Sequence, residues 1–311
     1  MLLIFKQISF YYIELTLIKQ IRNPIMKTKK DCRLILDMHK LDIHVFEEFG
    51  RYNYSNAQSV LPLHVHDDAI EICYLSRGNQ TYLVGDDVYQ VRGGECFITY
   101  PNEIHGTGNL PEEKGVLYWF SLKKPIPGSA YLGLSATEAQ HVFSRLEQLP
   151  RRIFPANSAV EQLLQQIIQV YFSPDADLQQ IEMKSLLVSL ILRIIHCGEE
   201  IDPQAAYSEP ILKVITYIEN NIFDIFDLED LAEQCCLSLS RFKHRFKKET
   251  GMPPAEFIIR KKLEKAQILL EEGAMSIKDI AYELGFSSPS YFATVFKQYL
   301  GYSPTSYKKG V

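Results

Sequence analysis

Two sets of residues in this 311-residue chain have the types and spacing to do chemistry. The first combines imidazole and carboxylate: His64-Val-His66-Asp-Asp-Ala-Ile-Glu71, with His105 further along. On an extended strand His64 and His66 point the same way, because side chains alternate with a period of two. Glu71 follows a short turn at the start of the next apolar run and can face the same interior. Such a set either holds a divalent transition metal or lines the polar pocket of a small molecule. The second set is helical. If Phe242 and Phe246 face inward, then Ser240, Lys243, His244 and Lys247 share another stripe, with Arg241 beside it. Eight Lys or Arg stand against two Glu between Ser238 and Lys262, whereas the charges from Ser208 onward balance to zero. Basic charge is therefore concentrated where a helix would touch phosphates and base edges.

The elements that must position these sets differ in kind. From about Leu34 to Leu122 the chain reads as strands: EICYL, TYLVG, VYQV, ECFITY and VLYWFSL, rich in β-branched and aromatic residues. The turn signals SRGN, GDD, RGG, PNE and GTGN separate them. Many short strands at regular spacing predict a closed barrel or sandwich. Near Pro125-Ile-Pro-Gly the pattern turns helical. Ser135-Ala-Thr-Glu138 predicts a capping box, and Val160, Leu163, Leu164, Ile167, Ile168 and Tyr171 fall on one helical face. The run from Leu186 to Ile195 is apolar almost all round, which predicts burial within the fold or in a subunit interface. A polar stretch from Glu199 to Ser208 marks a second boundary.

Beyond it lies a repeat. Leu228, Leu231 and Ala232 correspond to Ile277, Ile280 and Ala281, an offset of 49. After a turn, Phe242, Phe246, Gly251 and Pro254 correspond to Phe292, Phe296, Gly301 and Pro304, an offset of 50. The register holds on both sides of a turn that is one residue longer in the second copy. Each copy has the grammar of a helix-turn-helix: a short helix with a small Ala on its buried face, and a serine opening the next helix. That serine is Ser238 in one copy and Ser287 or Ser288 in the other. Two phenylalanines four apart anchor the second helix, and a glycine ends it. Phe286 is placed to plug the gap beside Gly285. PAEFIIRKKLEKAQILLEEG predicts one long helix joining the copies. In the second copy the outward stripe is Ser290, Ala293, Thr294 and Lys297, with no Arg or Gln. Two units on a rigid connector would reach successive major-groove segments roughly 34 Å apart.

Bulk properties set limits on the rest. The chain is long enough for two domains, and its net charge of -5 makes any basic footprint local. Six cysteines show neither a CxxC pair nor a disulfide-like spacing, so reduced thiols in a cytosolic protein are expected. The apolar N-terminus is interrupted by Lys6 and Glu14, short of the roughly 20 residues a membrane span needs. It also lacks the basic region and cleavage site of a signal peptide. Translation is expected to start at Met26, or residues 1–25 to form a dispensable extension.

IAYELGFSSPSYFATVFKQYLGYSPTSY resembles the C-terminal signature of the AraC/XylS family of bacterial transcription regulators. The first copy and the joining helix resemble the rest of that family's DNA-binding domain. The spacing from His64 to Glu71 and Gly78 resembles the first motif of cupin barrels. Gly94, Pro101, His105 and Asn109 resemble the second, with the Pro-to-His interval one residue short of the usual. The resemblance implies an α+β protein with four parts. Residues 1–30 are an extension, 31–125 a cupin-like effector-binding barrel, 126–205 a helical connector or dimerisation region, and 206–311 an all-α DNA-binding domain. It implies base and phosphate contacts from Ser240, Arg241, Lys243, His244, Lys247, Ser290, Ala293, Thr294 and Lys297. Arg245 replaces a usually apolar residue, so its stem would pack while its charge reaches a phosphate. In metal-binding cupins three His and one Glu hold the ion; here His64, His66, Glu71 and His105 would do so. Without metal the same residues, with Trp119 and the aromatics Tyr74, Tyr82 and Tyr100, would line an effector pocket. The function implied is a cytoplasmic, non-enzymatic regulator that binds double-stranded DNA and responds to a small molecule, often a sugar in this family. Its expected partners are a second copy of itself and, for an activator, RNA polymerase. The rival is a metal-dependent cupin enzyme with an appended DNA-binding domain.

Overall fold

A computed structural model describes residues 32–173, 176–200 and 207–308. The expectations for residues 1–25, and for most of the stretch from Glu199 to Ser208, lie outside the described residues. The strands are β1 (Cys32–Ile35), β2 (Phe46–Tyr54), β3 (Ala69–Val84), β4 (Asp87–Arg92), β5 (Glu95–Thr99), β6 (His105–Gly106) and β7 (Gly115–Lys123). Helix α1 (Ala136–Glu147), strand β8 (Ile153–Pro155), α2 (Ser158–Tyr171) and α3 (Ala176–Glu199) follow. The remaining helices are α4 (Glu209–Asn220), α5 (Leu228–Gln234), α6 (Leu239–Thr250), α7 (Pro254–Glu272), α8 (Ile277–Glu283), α9 (Pro289–Leu300) and α10 (Pro304–Lys308). The protein is thus α+β, an antiparallel N-terminal sheet followed by helices.

The sheet runs β1-β2-β7-β3-β5-β8. Strand β3 belongs to both halves: its first part pairs with β5 and β7, and its second part with β4 and β6. The bend between them coincides with a register shift between Leu75 and Arg77. Gly78 permits it, with φ +109 and a missing Cβ that would meet the Lys114 carbonyl at 2.6 Å. Both faces of the sheet are covered, which explains the unbroken apolar run of β7. Tyr52, Cys73, Tyr82, Phe97, Leu117 and Trp119 form the barrel interior. Phe49, Ile70, Ile72, Phe120 and Leu122 face the other way, against Phe143, Leu164, Leu187 and Ile191 of the helices. Strand β8 was not legible in a region that reads as helical. Its three residues lie between helices and add to β5 at the sheet edge.

The capping box at Ser135 forms as the sequence predicts, with Ser135 and Glu138 exchanging side chain-to-backbone bonds. In α3, Leu187, Leu190, Ile191, Ile194 and Ile195 are buried against the barrel side, while Ile181 and Leu192 stay exposed. Among the described residues no helix is long and apolar enough to cross a membrane. Cys73, Cys96, Cys197, Cys235 and Cys236 are free thiols.

Each helix-turn-helix copy has its own core, one around Phe242 and Phe246 and one around Phe292 and Phe296. Helix α7 joins them over about 28 Å, at 1.5 Å per residue. The buried Lys262 on α7 ties the copies together, its Nζ donating to the carbonyls of Asp224 and Leu284, 2.8 Å each. The barrel also docks on this domain. Arg260 of α7 pairs with Glu113 and donates to the Lys114 carbonyl, and Lys114 Nζ donates to the Tyr299 hydroxyl at 2.9 Å. Gly93 and Gly251 meet backbone to backbone: a Cβ on Gly93 would lie 2.3 Å from the Gly251 carbonyl oxygen.

Candidate nucleic-acid interface and barrel site

The two helix-turn-helix units are built from the same devices. Asp227 caps α5 by accepting from Glu229 N–H at 2.7 Å, and Ser276 caps α8 by accepting from Asp279 N–H. The turn after each short helix needs one left-handed residue, Cys236 at φ +54 and Gly285 at φ +71. Glycine takes this conformation without strain, whereas a side chain there is costly. Ser288, not Ser287, caps α9 and accepts from Tyr291 N–H at 3.2 Å. Ser287 is therefore the extra residue of the second turn. Ser238 holds the equivalent position before α6, but its side chain makes no capping hydrogen bond. The phenylalanine pairs are superposable in kind: Phe242–Phe246 and Phe292–Phe296 both sit edge to face at 5.5 Å. Phe286 fills the gap as expected, 5.1 Å from Phe292.

With the phenylalanines buried, the outward faces follow. Ser240, Arg241, Lys243, His244 and Lys247 are exposed on α6; Ser290, Thr294 and Lys297 are exposed on α9, and Ala293 is half-buried. Ser240, Arg241 and His244 also line an open groove of about 690 Å³ with Leu237, Arg245, Lys248 and Glu249. The Thr294 hydroxyl donates to its own helix, at the Ser290 carbonyl, 3.0 Å away. Arg245 lines the same groove with its side chain 42% exposed, and it also makes an ion pair within α6. Its Nε donates to Glu249 at 2.8 Å, and Glu249 also accepts from the Ser208 N–H and hydroxyl. The Glu249 carboxylate thus pins the start of α4 to the end of α6, with Arg245 as its partner within the helix. Burial alone would raise the Glu249 carboxyl, but Arg245 and Ser208 together hold it below its ordinary value.

The barrel brings together all four residues of the imidazole and carboxylate set. His64 and His105 exchange backbone hydrogen bonds at 2.9 Å each, and Asn102 N–H donates to the His66 carbonyl at 2.9 Å. Two loops distant in sequence are stitched side by side in this way, and the shortened second spacing still delivers His105. One ligand-type atom from each of His64, His66, Glu71 and His105 lies within 4.8 Å of the others. Glu71 and His105 are buried, His64 and His66 half-buried. His66 Nε2 is 3.2 Å from one Glu71 oxygen, and His105 Nε2 is 3.5 Å from the other, a contact without hydrogen-bond alignment. Burial would raise the Glu71 carboxyl, but the imidazoles of His105 and His66 outweigh it and hold it well below the usual carboxylate range. The hydrogen bond to Glu71 raises His66 to about 9, and burial lowers His64.

Register decides which aromatics share this interior. Trp119 pairs across the strands with Cys73, two residues along from Glu71, and Tyr82 donates its hydroxyl to Cys73 Sγ at 3.6 Å. Tyr74 and Tyr100 instead pack with the helix-facing core. Trp119 lies over Gly50, whose missing Cβ would come within 2.2 Å of the indole, and its Nε1 donates to Glu48 at 2.9 Å. Two residues next to the site carried no sequence signal. Glu47 accepts from His66 Nδ1 at 2.9 Å, and Cys73 donates to Glu71 at 3.6 Å. Glu47 is remote along the chain, and a thiol inside a strand looks like any small apolar residue.

A duplicated helix-turn-helix with exposed second helices, the first of them basic, docked on a β-barrel with a polar interior cluster, defines a DNA-binding regulator of two-domain architecture. Comparison with known proteins agrees. Residues 46–191 match the family model of an AraC-like ligand binding domain, and residues 231–310 that of a helix-turn-helix domain. The HTH-type transcriptional regulator YfiF of Bacillus subtilis (strain 168) is 26% identical over 257 residues, covering 78% of this chain and 77% of that protein. The HTH-type transcriptional activator RhaS of Escherichia coli (strain SE11) is 26% identical over 260 residues, covering 81% and 89%. The DNA-binding domain of AdpA, solved with a target DNA, is 32% identical over 33% of this chain and 92% of that one, TM-score 0.32. Fatty acid-bound ToxT from Vibrio cholerae is 16% identical over 84% of this chain and 94% of that one, TM-score 0.32. The chain belongs to the AraC/XylS family of transcription regulators.

Proposed function

We propose that this regulator reads its operator with α6 and α9 and is controlled by a small molecule bound in the barrel. The observation that carries the reading is the pair of exposed polar stripes on two helices that α7 holds rigidly apart. Lys243, His244 and Arg241 supply base-edge and phosphate contacts from the first unit. Ser290, Ala293, Thr294 and Lys297 supply a smaller, more apolar surface from the second, suited to thymine methyl groups and phosphate anchoring. The barrel touches both the joining helix, through Arg260, and the last turn of α9, where Ala57 N–H donates to the Gln298 carbonyl at 2.7 Å. An effector that favours one arrangement of this contact shifts DNA binding by its difference in affinity for the two arrangements. A sugar is the first ligand class to try, with His64, His66, Glu71, His105 and Trp119 as the lining. The protein binds rather than transforms its ligand, acts in the cytoplasm, and pairs with a second copy through the exposed Ile181 and Leu192 of α3. RNA polymerase is a further partner if it activates.

The test is binding of the full chain to DNA upstream of its own gene, across a salt series, with and without a panel of sugars. Sequence-specific binding altered by one sugar supports the whole reading. Specific binding indifferent to all of them moves the search to other effectors. Absence of sequence preference overturns it.

A further inference from the structure

We infer that the barrel braces the two helix-turn-helix units against each other, and so fixes the one spacing of DNA segments that the chain accepts. The inference rests on the reading that α6 and α9 enter the major groove. The cores around Phe242 and Phe246 and around Phe292 and Phe296 are separate clusters. They are joined by α7, by the Lys262 bonds to Asp224 and Leu284, and by Ile225 lying against Gly285. These ties gather at one place, since Lys262 Nζ lies 3.2 Å from where a Gly285 Cβ would stand. Two bodies tied at one place keep their distance but can tilt, because a long helix bends gently. Each recognition helix has 12 residues and is about 18 Å long. A tilt of about 10° swings its tip by about 3 Å, close to the rise of about 3.4 Å between base pairs. A hinge alone would therefore let the two helices fit DNA segments one base pair nearer or farther.

The barrel supplies a second tie, and it takes hold of both copies at the same repeated position. Gly251 and Gly301, which end α6 and α9, correspond at the offset of 50. The turn at Gly93 meets Gly251 backbone to backbone, and a Cβ on Gly251 would lie 1.9 Å from the Gly93 carbonyl oxygen. At Gly301 a Cβ would lie 3.3 Å from Pro111 and 3.7 Å from Ala57. Beside the first contact, Arg92 donates to the Tyr207 hydroxyl at 2.7 Å. Beside the second, Ala57 N–H donates to the Gln298 carbonyl, one of those that a helix leaves over at its end. Gln298 Nε2 donates in return to the Ser55 carbonyl at 2.9 Å. Between the two contacts, Arg260 of α7 pairs with Glu113. One barrel thus holds α6, α7 and α9 together, and a hinge closed by a second, separate tie no longer tilts. The grip is on the C-terminal ends, so Ser240, Arg241, Ser290 and Thr294 toward the other ends stay exposed. That makes the barrel a brace and not a cover.

Duplexes carrying about 30 random base pairs, enough for two segments a helical turn apart, are put through selection by three full chains: wild type, Gly93→Ala and Lys114→Met. The first variant crowds the α6 end, since the three nearest neighbours of a Cβ on Gly93 are all Gly251 atoms. The second loses the Tyr299 hydroxyl bond and the Glu256 ion pair at the α9 end. Wild type should enrich two segments at a single spacing. Each variant should enrich the same segments at that spacing and at spacings one base pair shorter or longer. In anisotropy titrations on the selected duplex, one inserted base pair should weaken wild type by about 10-fold or more and the variants by about 3-fold or less. Circular dichroism checks that each variant folds, and either folded variant decides the matter. Folded variants that keep the wild-type spacing overturn the proposal, and so does a wild type that tolerates several spacings. Variants that bind every duplex more tightly at an unchanged spacing overturn it too, by making the barrel a cover. A wild type that enriches no sequence refutes instead the DNA reading on which the brace rests.

Discussion

Replacing Glu113 by Gln should loosen the barrel from the DNA-binding domain, and the size of the effect follows from where Arg260 sits. Arg260 is 8% exposed, and its guanidinium bonds to the Glu113 carboxylate and, at 3.1 Å, to the Lys114 carbonyl. Removing one partner of a buried ion pair strands the other charge and costs about 3–5 kcal/mol. Some water reaches the Glu113 side chain, 17% exposed, which places the expectation near the lower end, about 3 kcal/mol. The cost has a ceiling, because the domains separate once it exceeds the free energy that docks them. Arg260→Met should be milder than Glu113→Gln. Burial already raises the Glu113 carboxyl, so a Glu113 left alone takes up a proton at little further cost, whereas a guanidinium cannot shed one. The double variant should recover most of the loss. Urea unfolding of the full chain and hydrogen exchange at residues 251–260 measure the effect; a fragment of residues 207–311 is the control, since it lacks Glu113 and the Lys114 carbonyl. Equal destabilisation by Arg260→Met in fragment and full chain would refute the argument. So would single effects that simply add, with a coupling below about 0.5 kcal/mol.

Other expectations are simpler. Lys243→Ala and His244→Ala should each weaken specific DNA binding by about 1–3 kcal/mol, and non-specific binding by less, in anisotropy titrations on operator and scrambled DNA. Equal losses on both would demote them to phosphate contacts. Phe292→Ala removes a side chain that is fully buried and should lower fragment stability by about 3–5 kcal/mol in chemical denaturation; a loss under 1 kcal/mol would mean the α9 anchor is not the core of its unit. Glu249 gives a pH dependence. Its folded carboxyl is held below the unfolded value of about 4.3, so its contribution is present above that pH and lost as pH falls through the folded value. The urea midpoint of the fragment should therefore fall more steeply below about pH 4.3 than that of Glu249→Gln; parallel curves would remove Glu249 from the account.

The sequence by itself determined the local grammar. Period-two alternation and turn residues marked most strands, the offset repeat marked two helix-turn-helix units, and the phenylalanine spacing told which helix faces are outward. Even His64, His66, Glu71 and His105 were legible, because a strand fixes side-chain direction and loop spacing limits reach. Tertiary structure alone decided what depends on residues far apart in the chain. Strand β8 exists because an open edge of β5 accepts three residues that carry no strand pattern of their own. Cross-strand register put Trp119 and Tyr82 inside and left Tyr74 with the helices. Glu249 gathers Arg245 from its own helix and Ser208 from 41 residues earlier, a meeting that only the fold brings about. The barrel's grip on the DNA-binding domain is of the same kind. Gly93 and Gly251 look like ordinary turn glycines, and only the folded chain, by bringing two backbones into contact, gives them a reason to lack side chains.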